Sequence, residues 1–427
     1  MPWAHRLDRW VSSASRSPEA SCLHCRGVKL LCGRPACPVL FKIRAYAPLA
    51  PSLQSTQVDG SSPPDVFIGR VRYPRVTVGP LVPPYRGDTS ILAEPERWLQ
   101  LSREQIVKGR LSLVRGVAEV DARRPLGRML EELVELGISA RPAEVEMELK
   151  SKPVLKTQLD PDSQPFGPSA PLRDLKAGGV KADRRIEKAY EDTDLKASEA
   201  VLQLYRGGVP VSAIIRALSL GALGLKSQRR LVPTRWSITA VDSMIGLKLI
   251  SELRSFEELG EYEVYEAEKL DNKFVVVLTP RPWSYELIEA WYPSTAWNLS
   301  SESIAVGSDW EGYYGRSSYA SIGGCYYAAR LAVAEHLYGR RRQAAAVVLR
   351  EAYPGHIMPL GVWQVRESVR LALRQKPARY SSLQEILEHI SERMLMPLEA
   401  WLQVSRLLKP GRQAKLVEKG MLRGRNI

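Results

Sequence analysis

Four cysteines in the first forty residues form the group best suited to chemistry in this chain. They read Cys22-Leu-His-Cys25, six residues, then Cys32-Gly-Arg-Pro-Ala-Cys37-Pro. Four thiolates this close in sequence suit a tetrahedral Zn²⁺, which closes a structural site with four such ligands. Gly27 and Gly33 supply turn flexibility where the chain folds back. His24 lies inside the first pair as an alternative ligand. The same set would also suit an iron–sulfur cluster, or disulfides in an oxidising compartment. Zinc is the favoured reading.

Three further constellations carry arginine beside aromatic rings. Arg229, Arg230 and Arg235 stand with Trp236 and Asp242 between positions 228 and 242. Arginine forks suit phosphate, and tryptophan offers a face on which a base can stack. An Arg–Asp ion pair beside a core tryptophan would account for the same residues. Arg281 and Trp283 follow a predicted strand, where α/β proteins often hold ligands. Arg316 and Tyr319 lie in Asp309-Trp-Glu-Gly-Tyr-Tyr-Gly-Arg-Ser-Ser-Tyr319, whose glycines allow close approach of backbone to a ligand. Its spacing matches neither a Walker A loop nor a dinucleotide fingerprint, and packed core aromatics at a tight turn are its plain alternative. His356 reads as a structural histidine and Cys325 as a buried thiol. No nucleophile–base set, HExxH helix or pair of metal carboxylates stands out.

The elements that must position these residues are a mixture of helices and strands. Alternation over 65–82 predicts two short strands around Tyr73-Pro74, and 262–267 with 274–279 predicts an antiparallel hairpin. Helical spacing is found at 95–107, 125–137, 183–205, 209–222, 319–338, 362–373 and 382–408, the last interrupted near Pro397. Residues 344–350 suit a buried strand. Residues 151–182 show no clear period and read as a long loop. Strands in pairs among many helices predict an α+β (mixed) fold rather than alternating βαβ units. The expected organisation is a zinc-finger-like module over 1–48, a Pro/Ser-rich linker over 49–64, and a mixed α/β body over 65–405 that divides, if anywhere, near 151–182. A basic tail follows over 406–427.

The chain has 427 residues and a net charge of +14. Residues 1–48 hold eight Lys/Arg against two Asp/Glu, and 406–427 hold seven against one, so each end carries +6 and the body +2. Basic ends suit contact with a polyanion such as DNA, where each neutralised phosphate releases counterions. Solvated termini that aid solubility are the plain alternative. No secretory leader is legible, and the most apolar run, 209–225, contains Arg216 and Gly221 and reads as a buried helix. A soluble cytoplasmic protein is expected.

The segments CLHCRGVKLLCGRPACP, VFIGRVRYPRVTVGPLVPP, PFGPSAPL, SQRRLVPTRWSITAVDS and GYYGRSSYASIGGCYYAARLAVAEHL together resemble the archaeal Nre family of DNA repair proteins (NreA and NreB). The resemblance spans nearly the whole chain. It implies an archaeal protein of DNA damage repair with a zinc-finger-like N-terminus. It further implies, from the NreA branch, a C-terminal motif that binds the sliding clamp PCNA. In this tail Gln413 and Leu416 match that motif, while Lys419 and Gly420 stand where two aromatic residues belong; Met421 and Leu422 are the candidate substitutes. Three functions stay open: a repair factor binding DNA or the clamp through its ends, an enzyme with a nucleotide pocket made by the Arg/Trp/Tyr segments, and an adaptor. Convergence of the distant segments on one concave site separates them.

Overall fold

The structure, a computed structural model, describes residues 24–125, 127–155, 165–299 and 302–409. Two six-stranded mixed sheets organise these residues. The first contains β1 (Gln57–Ser62), β2 (Val66–Ile68), β3 (Arg75–Val82), β4 (Val114–Asp121), β5 (Ala143–Leu149) and β6 (Ser169–Gly178) in the order β1-β5-β6-β4-β3-β2. Its only parallel pair is β4 with β6. The second contains β7 (Tyr262–Lys269), β8 (Asn272–Thr279), β9 (Ser284–Trp291), β10 (Ala305–Glu311), β11 (Ala345–Ala352) and β12 (Ala378–Tyr380) in the order β10-β9-β11-β8-β7-β12. Here β9 and β11 run parallel.

The second sheet is buried on both faces, and its strand β8 accordingly carries the unbroken apolar run Phe274–Leu278. On β8, Phe274, Val276 and Leu278 face one core while Val275 and Val277 face another. The first core is completed by α4 (Arg184–Glu191), α5 (Ala197–Arg206), α6 (Val211–Ser219), α7 (Thr234–Leu253), α8 (Gly324–Gly339) and α9 (Trp363–Leu373). The second is closed by α10 (Leu383–Arg393) and α11 (Leu398–Val404). The first sheet packs its apolar face on α3 (Arg128–Ile138). Near the N-terminus, α1 (Pro38–Tyr46) and α2 (Arg103–Ser112) share a small core with Trp98 and Trp363, whose rings meet edge to face at 5.0 Å.

The mixed α+β expectation agrees with this architecture; the two strands expected around Tyr73-Pro74 are β2 and β3, and the predicted hairpin is β7–β8. Three segments described next differ from the sequence reading. Within the expected linker, Gln57–Ser62 is β1, paired along its length with β5. Its small residues permit that: a Cβ at Gly60 would fall 1.9 Å from the Pro83 carbonyl oxygen. Within the expected loop over 151–182, Ser169–Gly178 is the inner strand β6. The helix expected over 95–107 divides into a 3₁₀ turn, Pro95–Gln100, and α2, because Ser102 starts a new helix with a capping box to Gln105.

The zinc part of the fold expectation is not carried by the described residues. Cys22 lies outside them, and no three His, Cys, Asp or Glu side chains among them gather at a metal position. No described helix is long and apolar enough to cross a membrane.

Candidate nucleic-acid interface

A groove of about 520 Å³ opens where α7, α8 and α9 all begin. Its walls include Arg235, Trp236, Thr239 and Ser243 from α7, Gly324 and Tyr327 from α8, and Val362 at the N-cap of α9. Arg70 reaches it from the β2–β3 turn, and Tyr319 from the loop before α8.

Local contacts explain why these residues meet. The strap before α7 is fixed on both sides: Leu231 donates its N–H to the Ala122 carbonyl (2.9 Å) and Val232 to the Ser219 carbonyl (2.8 Å). Pro233 then opens the helix. The Ile68 amide donates to Thr234 Oγ1 at 3.0 Å, and the Tyr73 ring lies 5.0 Å from Trp236, so the β2–β3 turn is held against the start of α7. Gly324 has no side chain to spare: a Cβ there would sit 3.1 Å from Val362 Cγ2 and 3.4 Å from Thr239 Oγ1. The starts of α8 and α9 are therefore in near contact with the second turn of α7, and none of the three helices carries a side-chain cap. A helix N-terminus carries the positive end of the helix dipole, which suits anions.

Exposed aromatic surface accompanies this charge. Trp236 is 45% exposed and Tyr319 64%. Tyr319 is steadied by the Tyr327 ring at 5.3 Å, and Tyr327 Oη accepts the Ala320 amide at 2.9 Å. The lining residues include no carboxylate and no imidazole, so the described groove offers arginine, hydroxyl and aromatic groups without a general base.

The structure divides the sequence candidates into two sets. Arg235, Trp236 and Tyr319 come together. Asp242 lies on the inward face of α7, fully buried, and accepts from Arg366 Nη1 at 2.8 and 3.1 Å. Burial alone would lower the Arg366 pKa; the Asp242 carboxylate outweighs this and holds it above the usual arginine value. Trp283 is also fully buried and donates its Nε1–H to Glu311 at 3.3 Å. Arg229 donates to the carbonyls of Gly224, Tyr190 and Asp192 at 2.6–2.8 Å, pinning the chain ahead of α7. Arg316 pairs with Asp309 at 2.9 Å and donates to the Ser318 and Tyr319 carbonyls, so it shapes the loop that delivers Tyr319. Arg230 is exposed near the 3₁₀ turn at Lys226–Gln228, and Arg281 lies in the β8–β9 turn; neither lines the groove. The sequence reading missed Arg70, Thr239 and Ser243. The signal for Arg70 was three arginines in six residues, Arg70 to Arg75, at a turn between two strands.

At the N-terminal end, Cys25 is buried, and Cys37 stands at the position before α1, with Pro38 opening the helix. Backbone amides, that of Leu31 foremost and those of Gly27, Lys29 and Leu30 with it, hold the Cys25 thiol below its usual pKa against the opposing effect of desolvation. Gly27 sits close to Cys37: a Cβ there would lie 3.2 Å from its Sγ. The four tail residues Gln413, Leu416, Met421 and Leu422 lie outside the described residues.

Fold and groove together define a two-sheet α+β protein with a basic, aromatic cleft at a junction of helix N-termini. Comparison with known proteins places it: the model described as Archaeal Nre, N-terminal, matches residues 31–298, and that described as Archaeal Nre, C-terminal, matches 311–419. The chain belongs to the archaeal Nre family. It is 40% identical over 398 residues to DNA repair protein NreB of Archaeoglobus fulgidus, covering 93% of this chain and 99% of that one. It is 37% identical to DNA repair protein NreA of the same organism (87% and 93% covered) and 36% identical to DNA repair protein NreA of Haloferax volcanii (80% and 84%). No solved structure matches the chain.

Proposed function

We propose that this protein acts in DNA repair by holding nucleic acid in the groove at the start of α7. The repair role is supported by the names of three relatives that share most of its length. The groove is supported by one observation above all: three uncapped helix N-termini, Arg70 and Arg235 converge beside two exposed rings, Trp236 and Tyr319. The first group suits phosphate and the second suits bases. Without a carboxylate or imidazole in its lining, the groove favours binding over an enzyme's pocket.

Binding of fluorescent oligonucleotides by the full-length protein over a salt series tests this. Trp236→Ala is expected to weaken binding of single strands by about 5- to 150-fold, the worth of one stacked base. Arg235→Ala is expected to reduce the salt slope by about 0.7, the single-strand value for one phosphate. If neither substitution changes binding, the groove reading fails and the basic ends carry the contact.

Two partners of the chain's ends belong to the same proposal. One Zn²⁺ held by Cys22, Cys25, Cys32 and Cys37 is supported by their spacing. Metal analysis of purified protein is expected to give one zinc per chain, lost in Cys25→Ser together with Cys37→Ser; zinc-free wild type would exclude it. Binding to PCNA through Gln413, Leu416, Met421 and Leu422 is expected to be weak, because two aromatic positions are missing. Calorimetric titration with the clamp should show binding that disappears on deletion of 410–427.

A further inference from the structure

The outward face of α7 continues beyond the groove. Trp236, Ala240, Ser243, Leu247, Ser251 and Arg254 follow at steps of three or four residues, and none of them is buried. Leu247, in the middle, is 48% exposed. From Trp236 to Arg254 the helix rises about 27 Å at ~1.5 Å per residue.

One loop touches both ends of that face. It leaves β10 at Glu311 and returns at Tyr319, which lines the groove. In between, the Gly315 amide donates to the Gly312 carbonyl at 2.9 Å, and Gly315 adopts φ +83°, a value that favours glycine. This turn raises Tyr313 and Tyr314 from the surface. Arg254 lies over the Tyr313 ring at 5.1 Å, which places the turn at the far end of α7. Tyr314 stands edge-on to Tyr313 at 5.3 Å and is 93% exposed. The base of the loop is rigid: Asp309 pairs with Arg316 and accepts the Ser321 amide at 2.6 Å. An almost wholly exposed ring on a braced turn keeps its face open to an outside contact.

We propose that the nucleic acid in the groove is single-stranded and runs along α7 to this turn, where Tyr314 stacks on a base. Arginines at both ends, Arg70 and Arg235 at one and Arg254 at the other, match the charge of a strand's phosphates, and the rings beside them at each end match its bases. A single strand, unlike a duplex, leaves its base faces open to such stacking. The proposal rests on the groove reading and extends it by naming the substrate class and its path.

The test is a series of oligo(dT) lengths, with blunt duplex as comparison, on full-length wild type, Tyr314→Ala and Tyr314→Trp. Tyr314→Ala is expected to weaken binding of twelve-nucleotide strands by roughly 5- to 150-fold while leaving four-nucleotide strands unchanged, because these fill the groove alone. Tyr314→Trp should retain affinity and gain a fluorescence signal quenched by the long strand and not by the short one. Unchanged long-strand binding in Tyr314→Ala, or equal loss on both lengths, overturns the path. If Trp236→Ala is also without effect, the groove reading itself has failed; if Trp236→Ala weakens binding and Tyr314→Ala does not, only the extension has.

Discussion

Asp242→Ala should lower the stability of the protein by about 3–5 kcal/mol, the usual cost of leaving one partner of a buried ion pair alone. Asp242 and the Arg366 guanidinium are both buried, on α7 and α9, and the carboxylate accepts two contacts from one guanidinium nitrogen. Glu367, 3.2 Å from Arg366 Nε, would compensate part of the lost charge but cannot replace the geometry. Asp242→Asn removes charge while keeping shape and should fall between wild type and alanine. The measurement is the midpoint of denaturant unfolding, paired with oligonucleotide binding under conditions where both variants remain folded. Binding should be unchanged, because Asp242 faces away from the groove. Loss of binding in a folded Asp242→Asn protein would return this residue to the functional site.

Glu286→Ala should release the C-terminal segment from the second sheet at a cost of about 3 kcal/mol, since it leaves several buried donors without an acceptor. The Glu286 carboxylate, on the β9 face that α10 and α11 cover, accepts Ser405 Oγ at 2.7 Å and the amides of Arg406 and Leu407 at 2.8 and 3.0 Å. A second buried carboxylate, Glu351 of β11, accepts the amides of Leu395 and Met396 and the hydroxyls of Tyr292 and Tyr353. Two acids thus clamp the chain at both ends of α11. Hydrogen exchange should show loss of protection over 398–409 in Glu286→Ala, with α7 unaffected. Glu286→Gln, which keeps an acceptor, should lose less. Unchanged protection in Glu286→Ala would mean that apolar contacts such as Trp401 and Leu408 hold the segment by themselves.

Short-range patterns were legible in the sequence. Strands β2 and β3, the β7–β8 hairpin, α3 and α9 follow from alternation or helical spacing within a dozen residues. Strand β6 was not, because its Ser-Ala-Pro-Leu-Arg-Asp start has neither a strand's composition nor its alternation, and long-range pairing with β4 and β5 decides its state. The candidate site was legible as residue types and not as positions. Trp236 and Asp242 stand six residues apart in one polar constellation, yet helical phase turns one outward and the other into the core. Arg229 and Arg316 look like ligand-binding arginines in sequence; the turn geometry that aims Arg316 at Asp309 and at its own loop, and the distant Tyr190 and Asp192 carbonyls that engage Arg229, are not visible in residue types.

The second sheet takes β7, β8 and β9 from the part of the chain matched by the N-terminal family model and β11 and β12 from the part matched by the C-terminal one, while β10 runs between the two matches and meets the second only at Glu311. Strand β11 lies between β8 and β9, so the later part supplies an inner strand to the earlier. Two separately described segments are in this respect one inheritance unit. A gene divided near position 300 would yield halves that each expose an incomplete apolar sheet, and activity would depend on their finding one another. Co-expressed halves should therefore copurify as a complementing pair, whereas either half alone should be insoluble.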